Sequence, residues 1–242
     1  MRWVLGDVQG CARELDDLIK WVRLDPERDE LWCLGDLVNR GPDSVAALRL
    51  WHDTGGRGIL GNHDVNALLA AAGLRKRKND TLDDLFEAPD REELLAKMRA
   101  LPVLVHLPAP AEGGPDAWIV HAGLLPGWTD LPRLAAEIND AEHDDDWLRS
   151  DAVSAATRLR FCTAEGEASR ETGPPHAGIE PFRPWDDFYR GDTLVVHGHW
   201  ARRGYYRTER TMGLDTGCVY GGPLTAWCQD EDRIVQVPSD QS

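Results

Sequence analysis

Five short polar clusters, each containing glycine, hold most of the chemistry available to this sequence. They are Gly6-Asp7-Val8-Gln9-Gly10, residues 35–41 (GDLVNRG), Gly61-Asn62-His63-Asp64, His121-Ala122-Gly123 and His197-Gly198-His199-Trp200. Together they offer carboxylates, amides and imidazoles. That oxygen–nitrogen donor set suits hard or borderline divalent cations such as Mn²⁺, Mg²⁺, Fe²⁺ or Zn²⁺, and not soft-metal chemistry. The glycines let the chain turn sharply and bring backbone close to a ligand.

Each cluster follows a short apolar segment that reads as a strand. Strands expected at 2–5, 31–34 and 57–60 alternate with helical patterns at 11–22, 43–51 and 65–72. Strand then helix, repeated, implies a parallel sheet with helices outside it. The carboxyl ends of such strands are where open α/β sheets gather ligands. A helical stretch at 81–99 is expected to break at Ala88-Pro89-Asp90, with Asp90 capping its second half, inside a helical insertion at about 74–100. Strands return at 103–107 and 118–121, and residues 163–184, rich in Gly, Pro and charge, read as a surface loop. Closing strands are expected at 193–197, 204–206, 211–214, 224–228 and 232–237, as a mostly antiparallel addition to a single domain over 1–242.

The composition narrows the partners. A net charge of −15 repels duplex DNA and anionic membranes over long range, so a phosphate-bearing substrate has to be drawn in locally, by metals and arginines. A small nucleotide is compatible with that field. No apolar run approaches the roughly 20 residues that span a bilayer, and the start MRWVLGD does not read as a signal peptide. Five widely spaced cysteines with no CxxC pair argue against a disulfide framework or a cysteine zinc site, which points to a reduced, cytoplasmic protein. The Lys76-Arg77-Lys78 run reads as a solvated helix end.

At the five clusters the sequence resembles the calcineurin-like metallophosphoesterases, whose blocks GDxHG, GDxxDRG, GNHE, HAG and GH all have counterparts here, in order. Further blocks, GDLVNRGPDS, LGNHDVNALLA, VHAGLLPGW, TRLRFC, GHW and LDTGCVYGGPLTA, look like the bacterial symmetrical diadenosine tetraphosphatases. The resemblance implies an α/β fold of two mixed β-sheets packed as a sandwich and flanked by helices. It implies two divalent ions, Mn²⁺ foremost, with Co²⁺, Mg²⁺, Fe²⁺ and Zn²⁺ as alternatives. Asp7, Gln9 and Asp36 would hold one ion, Asp36 bridging to a second completed by Asn62, His121 and His199. Arg40 would clamp phosphate, and His63, oriented by Asn39, would protonate or steady the leaving oxygen. Arg158 and Arg160 of TRLRFC would contact polyphosphate or base, with a structural salt bridge as the alternative. The implied reaction is hydrolysis of diadenosine tetraphosphate to two ADP, extending to dinucleoside-polyphosphate caps at RNA 5′ ends. A broader phosphoprotein or phosphomonoester phosphatase and an inactive nucleotide-binding module are the alternatives.

Several positions depart from those blocks. Gln9 stands where the superfamily has a histidine ligand, which predicts a weaker first metal site tilted toward Mn²⁺ or Mg²⁺. Asn39 replaces an aspartate that charges the histidine; it can accept a hydrogen bond but adds no negative charge, which favours anhydride over alkyl ester substrates. Asp64 replaces glutamate, a change read as minor. Residues 128–157 look short for the tetraphosphatases, which predicts a more open site. His197 is left as either a ligand of the HxH type or a structural residue. Core or rim packing is favoured over adenine stacking for Trp200 and Tyr220, and helix capping is the plain alternative for Asp7 and Asp36.

Overall fold

The computed structural model describes residues 1–111 and 113–241. The chain opens with three strand–helix units: β1 (Arg2–Leu5) and α1 (Ala12–Val22), β2 (Glu30–Cys33) and α2 (Ser44–Asp53), β3 (Arg57–Gly58) and α3 (Asn62–Ala71). Short helices α4 (Asp83–Glu87) and α5 (Arg91–Arg99) lead to β4 (Leu104–Leu107) and β5 (Ala117–Val120). Helices α6 (Leu131–Asn139), α7 (Asp145–Leu148) and α8 (Asp151–Arg158) follow, then the ribbon β6 (Phe161–Cys162) and β7 (Arg183–Pro184). The chain closes with β8 (Leu194–His197), β9 (Tyr206–Arg207), β10 (Thr211–Gly213), β11 (Leu224–Cys228) and β12 (Arg233–Val237).

Among the described residues the long strands form two five-stranded sheets, ordered β12-β11-β1-β2-β3 and β4-β5-β8-β10-β9. In the first sheet β1, β2 and β3 are parallel. In the second, β5, β8 and β10 are parallel. Both sheets are therefore mixed, with antiparallel strands at the margins. Val4, Leu34, Ile59, Ile119, Val196, Met212 and Trp227, drawn from both sheets, fill the layer between them. Helices cover the outer faces; α1 buries Leu15 and Leu18. This is the sandwich that the resemblance implied.

Several local expectations change. The closing strands are not one antiparallel block: β8 and β10 run parallel in the second sheet, while β11 and β12 extend the first. Period-2 patterning reports which face of a strand is buried and says nothing of its partner. The third strand is shorter than expected, Arg57–Gly58; Ile59 N still donates to Cys33 O of β2 at 3.1 Å, and the chain leaves the sheet at Leu60, whose N donates to Pro102 O at 2.8 Å. Helix α3 starts at Asn62, ahead of the expected 65, since Asp64 caps it by accepting from Gly61 N at 2.9 Å. Asp90 does not cap α5 with its side chain; it pairs with Arg49, Oδ1 accepting from Nη2 at 2.6 Å.

Candidate metal centre

Six turns converge where the parallel strands of both sheets end. Asp7 follows β1, Asp36 follows β2, Asn62 and His63 open α3, His121 follows β5, His199 follows β8 and Asp215 follows β10. The turns are held in left-handed backbone by short-range bonds. Gln9, Asp36, Asn39, Arg40 and His199 are five of the eight non-glycine residues with positive φ, so most of the backbone strain among the described residues sits here. Gln9 N donates to Asp36 O at 2.7 Å, and Asp64 accepts from Asp36 N at 2.7 Å and Leu37 N at 3.0 Å. Asp64 is thus the buried brace between two ligand loops, not an incidental replacement. Two glycines are fixed by close approach: a Cβ on Gly61 would lie 2.1 Å from Asp36 Oδ1, and one on Gly198 would lie 2.1 Å from Asp7 Oδ1.

Neither Asp7 nor Asp36 caps a helix; Cys11 and Asp43 occupy those positions. Both carboxylates point inward and are buried. Asp7 Oδ1 accepts from His199 N at 3.0 Å, while Oδ2 is buried with no partner. Burial, then the charges of Asp215 and Asp36, push the Asp7 carboxyl well above its ordinary range. Burial also raises Asp36, but His121, His63 and N–H donors outweigh it and leave its carboxyl below the ordinary value.

The imidazoles are arranged so that each neutral ring could offer one nitrogen to a cation. His121 Nδ1 donates to Leu34 O at 2.7 Å, which leaves Nε2 bare, 3.3 Å from Asn62 Oδ1 and 3.5 Å from Asp36 Oδ1. His199 Nε2 donates to Arg158 O at 3.2 Å, which leaves its Nδ1 bare. Burial lowers both, His199 furthest, with Arg160 adding to the effect. Ligand atoms of Asp36, His121 and His199 lie within 4.8 Å of one another. An orphaned buried oxygen, crowded carboxylates and bare imidazole nitrogens form a donor set that fits hard divalent cations.

Gln9 is less direct, since its Nε2 donates to Asp36 Oδ2 at 3.3 Å. His197 is not part of the cluster. Its Nε2 meets the Tyr206 hydroxyl at 2.7 Å and its Nδ1 faces Gly198 O, because β8 ends at His197 and the left-handed turn at His199 sends the two rings apart.

Asn39 reverses one expectation. Its Oδ1 accepts from Arg40 N at 2.8 Å and Thr81 N at 3.1 Å, so the amide must turn its NH₂ toward His63, with Nδ2 2.8 Å from Nδ1. Asn39 donates to His63; it does not accept. His63 therefore carries its proton on Nε2, the nitrogen facing the carboxylates, 3.9 Å from Asp36 Oδ2. Burial lowers the His63 pKa, and Arg40, Arg158 and Arg160 lower it further.

A cleft of about 1530 Å³ opens over the cluster. Its walls carry Arg40, Arg158, Arg160, Arg170 and Arg202. None of these forms an ion pair among the described residues; Arg158 Nη2 bonds Asn66 Oδ1 and Arg160 Nη2 bonds His199 O. The salt-bridge alternative for Arg158 and Arg160 is therefore not what the fold uses. Trp200 is core, its Nε1 donating to Gly173 O at 2.8 Å, whereas Tyr220 is 64% exposed at the rim of the cleft, open to a stacking partner. Gly166 and residues 168–172, within the expected surface loop, line the cleft instead. Asp215, which the sequence reading left without a role, also faces it; burial raises its carboxyl to about 6. The signal was present, because LDTG follows a strand just as the other clusters do.

The model of the calcineurin-like phosphoesterase family matches residues 2–203. The chain belongs to that family. Within it, a symmetrical bis(5′-nucleosyl)-tetraphosphatase from Aromatoleum aromaticum is 40% identical over 268 residues, covering 97% of this chain and 96% of its own. One from Methylobacillus flagellatus is 38% identical, covering 98% and 94%. The 268-residue match is longer than this 242-residue chain, so that relative carries segments this chain lacks. A crystal structure provisionally described as a diadenosine tetraphosphatase superposes with a TM-score of 0.71 at 30% identity, covering 100% of this chain and 94% of the other. A serine/threonine phosphatase from Saccharomyces cerevisiae, 14% identical with a TM-score of 0.53, shares the fold.

Proposed function

We propose that this protein hydrolyses dinucleoside tetraphosphates symmetrically, releasing two nucleoside diphosphates. The observation that carries the reading is the buried carboxylate–imidazole cluster at the floor of a cleft walled by arginines without acidic partners. Two divalent cations bound by Asp7, Gln9, Asp36, Asn62, His121 and His199 would neutralise phosphoryl charge and activate water. The set contains no thiolate and has an amide where an imidazole would hold Zn²⁺ or Fe²⁺ more tightly, which favours Mn²⁺.

The chain's own groups divide the remaining work. Arg40, Arg158 and Arg160 offer paired donors to phosphoryl oxygens. His63 presents Nε2–H toward the cluster with its tautomer set by Asn39. A neutral imidazole steadies a departing anion by hydrogen bonding without giving up its proton. That suffices for a nucleoside diphosphate, which leaves as a stable anion, and serves an alkoxide poorly. The volume exceeds the 300–1,000 Å³ usual for small-ligand pockets, in keeping with an extended substrate. RNA 5′ ends capped through a polyphosphate present the same tract, and the proposal extends to them. All five cysteines are free thiols, which supports a reducing, cytoplasmic setting. No helix is long and apolar enough to cross a membrane among the described residues.

Product analysis with diadenosine tetraphosphate and Mn²⁺, Co²⁺, Mg²⁺ or Zn²⁺ tests the proposal. ADP alone is expected. ATP with AMP, inorganic phosphate, or binding without turnover would each replace it with another reading.

A further inference from the structure

A second cavity, about 440 Å³, adjoins the main cleft; Ser154 and Arg158 line both. Its floor is apolar, with Leu69 and Leu148 buried, while Leu74 stands 50% exposed at its lip. Its rim carries Arg75, Arg149 and Arg158, and no lining residue is acidic. None of the three arginines forms an ion pair among the described residues. Burial lowers the Arg158 guanidinium, and Arg75 beside it lowers it further. Unpaired like charges gathered in a concave site cost free energy unless an anion joins them. In a chain of net charge −15, counter-charges were plentiful, yet none is placed here.

The position of the cavity selects the occupant. His63 sits in the first turn of α3, and the cavity is lined by Val65 and Leu69 of the same helix, on either side of Asn66, which holds Arg158. The cavity meets the cleft at Arg158 and Ser154 and offers both guanidinium groups and leucine side chains to a ligand that extends into it from the His63 side. That combination matches a nucleoside diphosphate, anionic at one end and aromatic at the other.

We propose that this side pocket is a second nucleotide subsite, which holds the departing nucleoside diphosphate half of a dinucleoside polyphosphate. Its phosphates lie among Arg75, Arg149 and Arg158, and its base lies against Leu69, Leu74 and Leu148. The inference rests on the proposed function, and its test separates the two. Arg75→Ala/Arg149→Ala and, independently, Leu74→Asp alter exposed positions. For each variant, kcat/KM is measured with diadenosine tetraphosphate and with p-nitrophenyl phosphate, which is too short to reach the pocket, alongside inhibition by ADP and Tm. The ratio of the two kcat/KM values is expected to fall through KM by about tenfold or more in each variant, tenfold being the size of a single lost charge-assisted contact, with ADP inhibition weakened to match. An unchanged ratio, with wild-type protein producing ADP, overturns the subsite alone. Wild-type protein producing no ADP overturns the functional reading beneath it.

Discussion

Replacing Asn39 by aspartate should reverse the hydrogen bond that sets the state of His63. Arg40 N and Thr81 N already hold one side-chain oxygen of residue 39, and the variant's carboxylate can keep both. Its second oxygen then takes the place of Nδ2, 2.8 Å from His63 Nδ1. An acceptor there requires Nδ1 to carry a proton, and a new negative charge favours the imidazolium. An opposite charge at such range raises a histidine pKa by about 1–3 units, each worth roughly 1.4 kcal/mol. Burial and three arginines oppose the change, so the lower end applies. One unit makes the imidazolium about tenfold more available at neutral pH. That gain reaches only reactions whose leaving group needs the proton. Turnover of an alkyl phosphate monoester should rise about tenfold, while turnover of diadenosine tetraphosphate should change less than about threefold. Both rates would be followed from pH 5 to 9 with saturating Mn²⁺, and nitrogen-detected NMR would read the His63 tautomer. If NMR shows Nδ1 protonated in the variant while the ratio of rates stays within twofold, the reasoning fails. It also fails if wild-type His63 already carries its proton on Nδ1.

Two further expectations concern the metals. Gln9→His should convert a weakly held ion into a retained one, raising the metal content after dialysis from about one to about two per chain; two ions surviving dialysis in the wild-type protein would contradict this. Asp215→Asn should stabilise the metal-free protein in a pH-dependent way. The folded carboxyl lies near 6, above its ordinary 3.8, so it favours the fold when protonated and disfavours it as pH climbs through that window. The variant's advantage should therefore grow from near zero at about pH 3 to roughly 3 kcal/mol at about pH 7, read as a difference in chelator-treated Tm. The difference matters because the lowered histidines His63, His121, His197 and His199 act in the opposite sense in both proteins, while Asp7, which the Asp215 charge raises, is relieved in the variant and adds to the difference in the same direction. A constant difference across pH would show that Asp215 does not titrate there.

The 128–157 region contributes to the cleft. Asp151, Ser154, Ala155 and Arg158 of α8 line the cleft, so that segment is part of its wall.

The sequence by itself determined the types of side chain gathered at the centre and the three parallel strands of the first sheet. Asp7, Asp36, Asn62 and His121 lie within one or a few residues of strand ends marked by local apolar runs and glycine, and such punctuation is written in neighbouring residues. It also determined the family, because the blocks occur in order along most of the chain. Tertiary structure alone decided which strand pairs with which, and so brought Asp215 beside Asp7 from the far end of the chain. It decided the direction of the Asn39 hydrogen bond, which depends on the amide of Thr81 in a distant segment. It turned part of the 163–184 loop into a cleft wall, and it brought Cys218 from the far end of the chain to Cys11 and Glu14, with one ligand atom of each within 4.8 Å of the others. Local patterns fix what a residue can donate or bury. Which group it faces is set by chain segments that meet only after the two sheets pack.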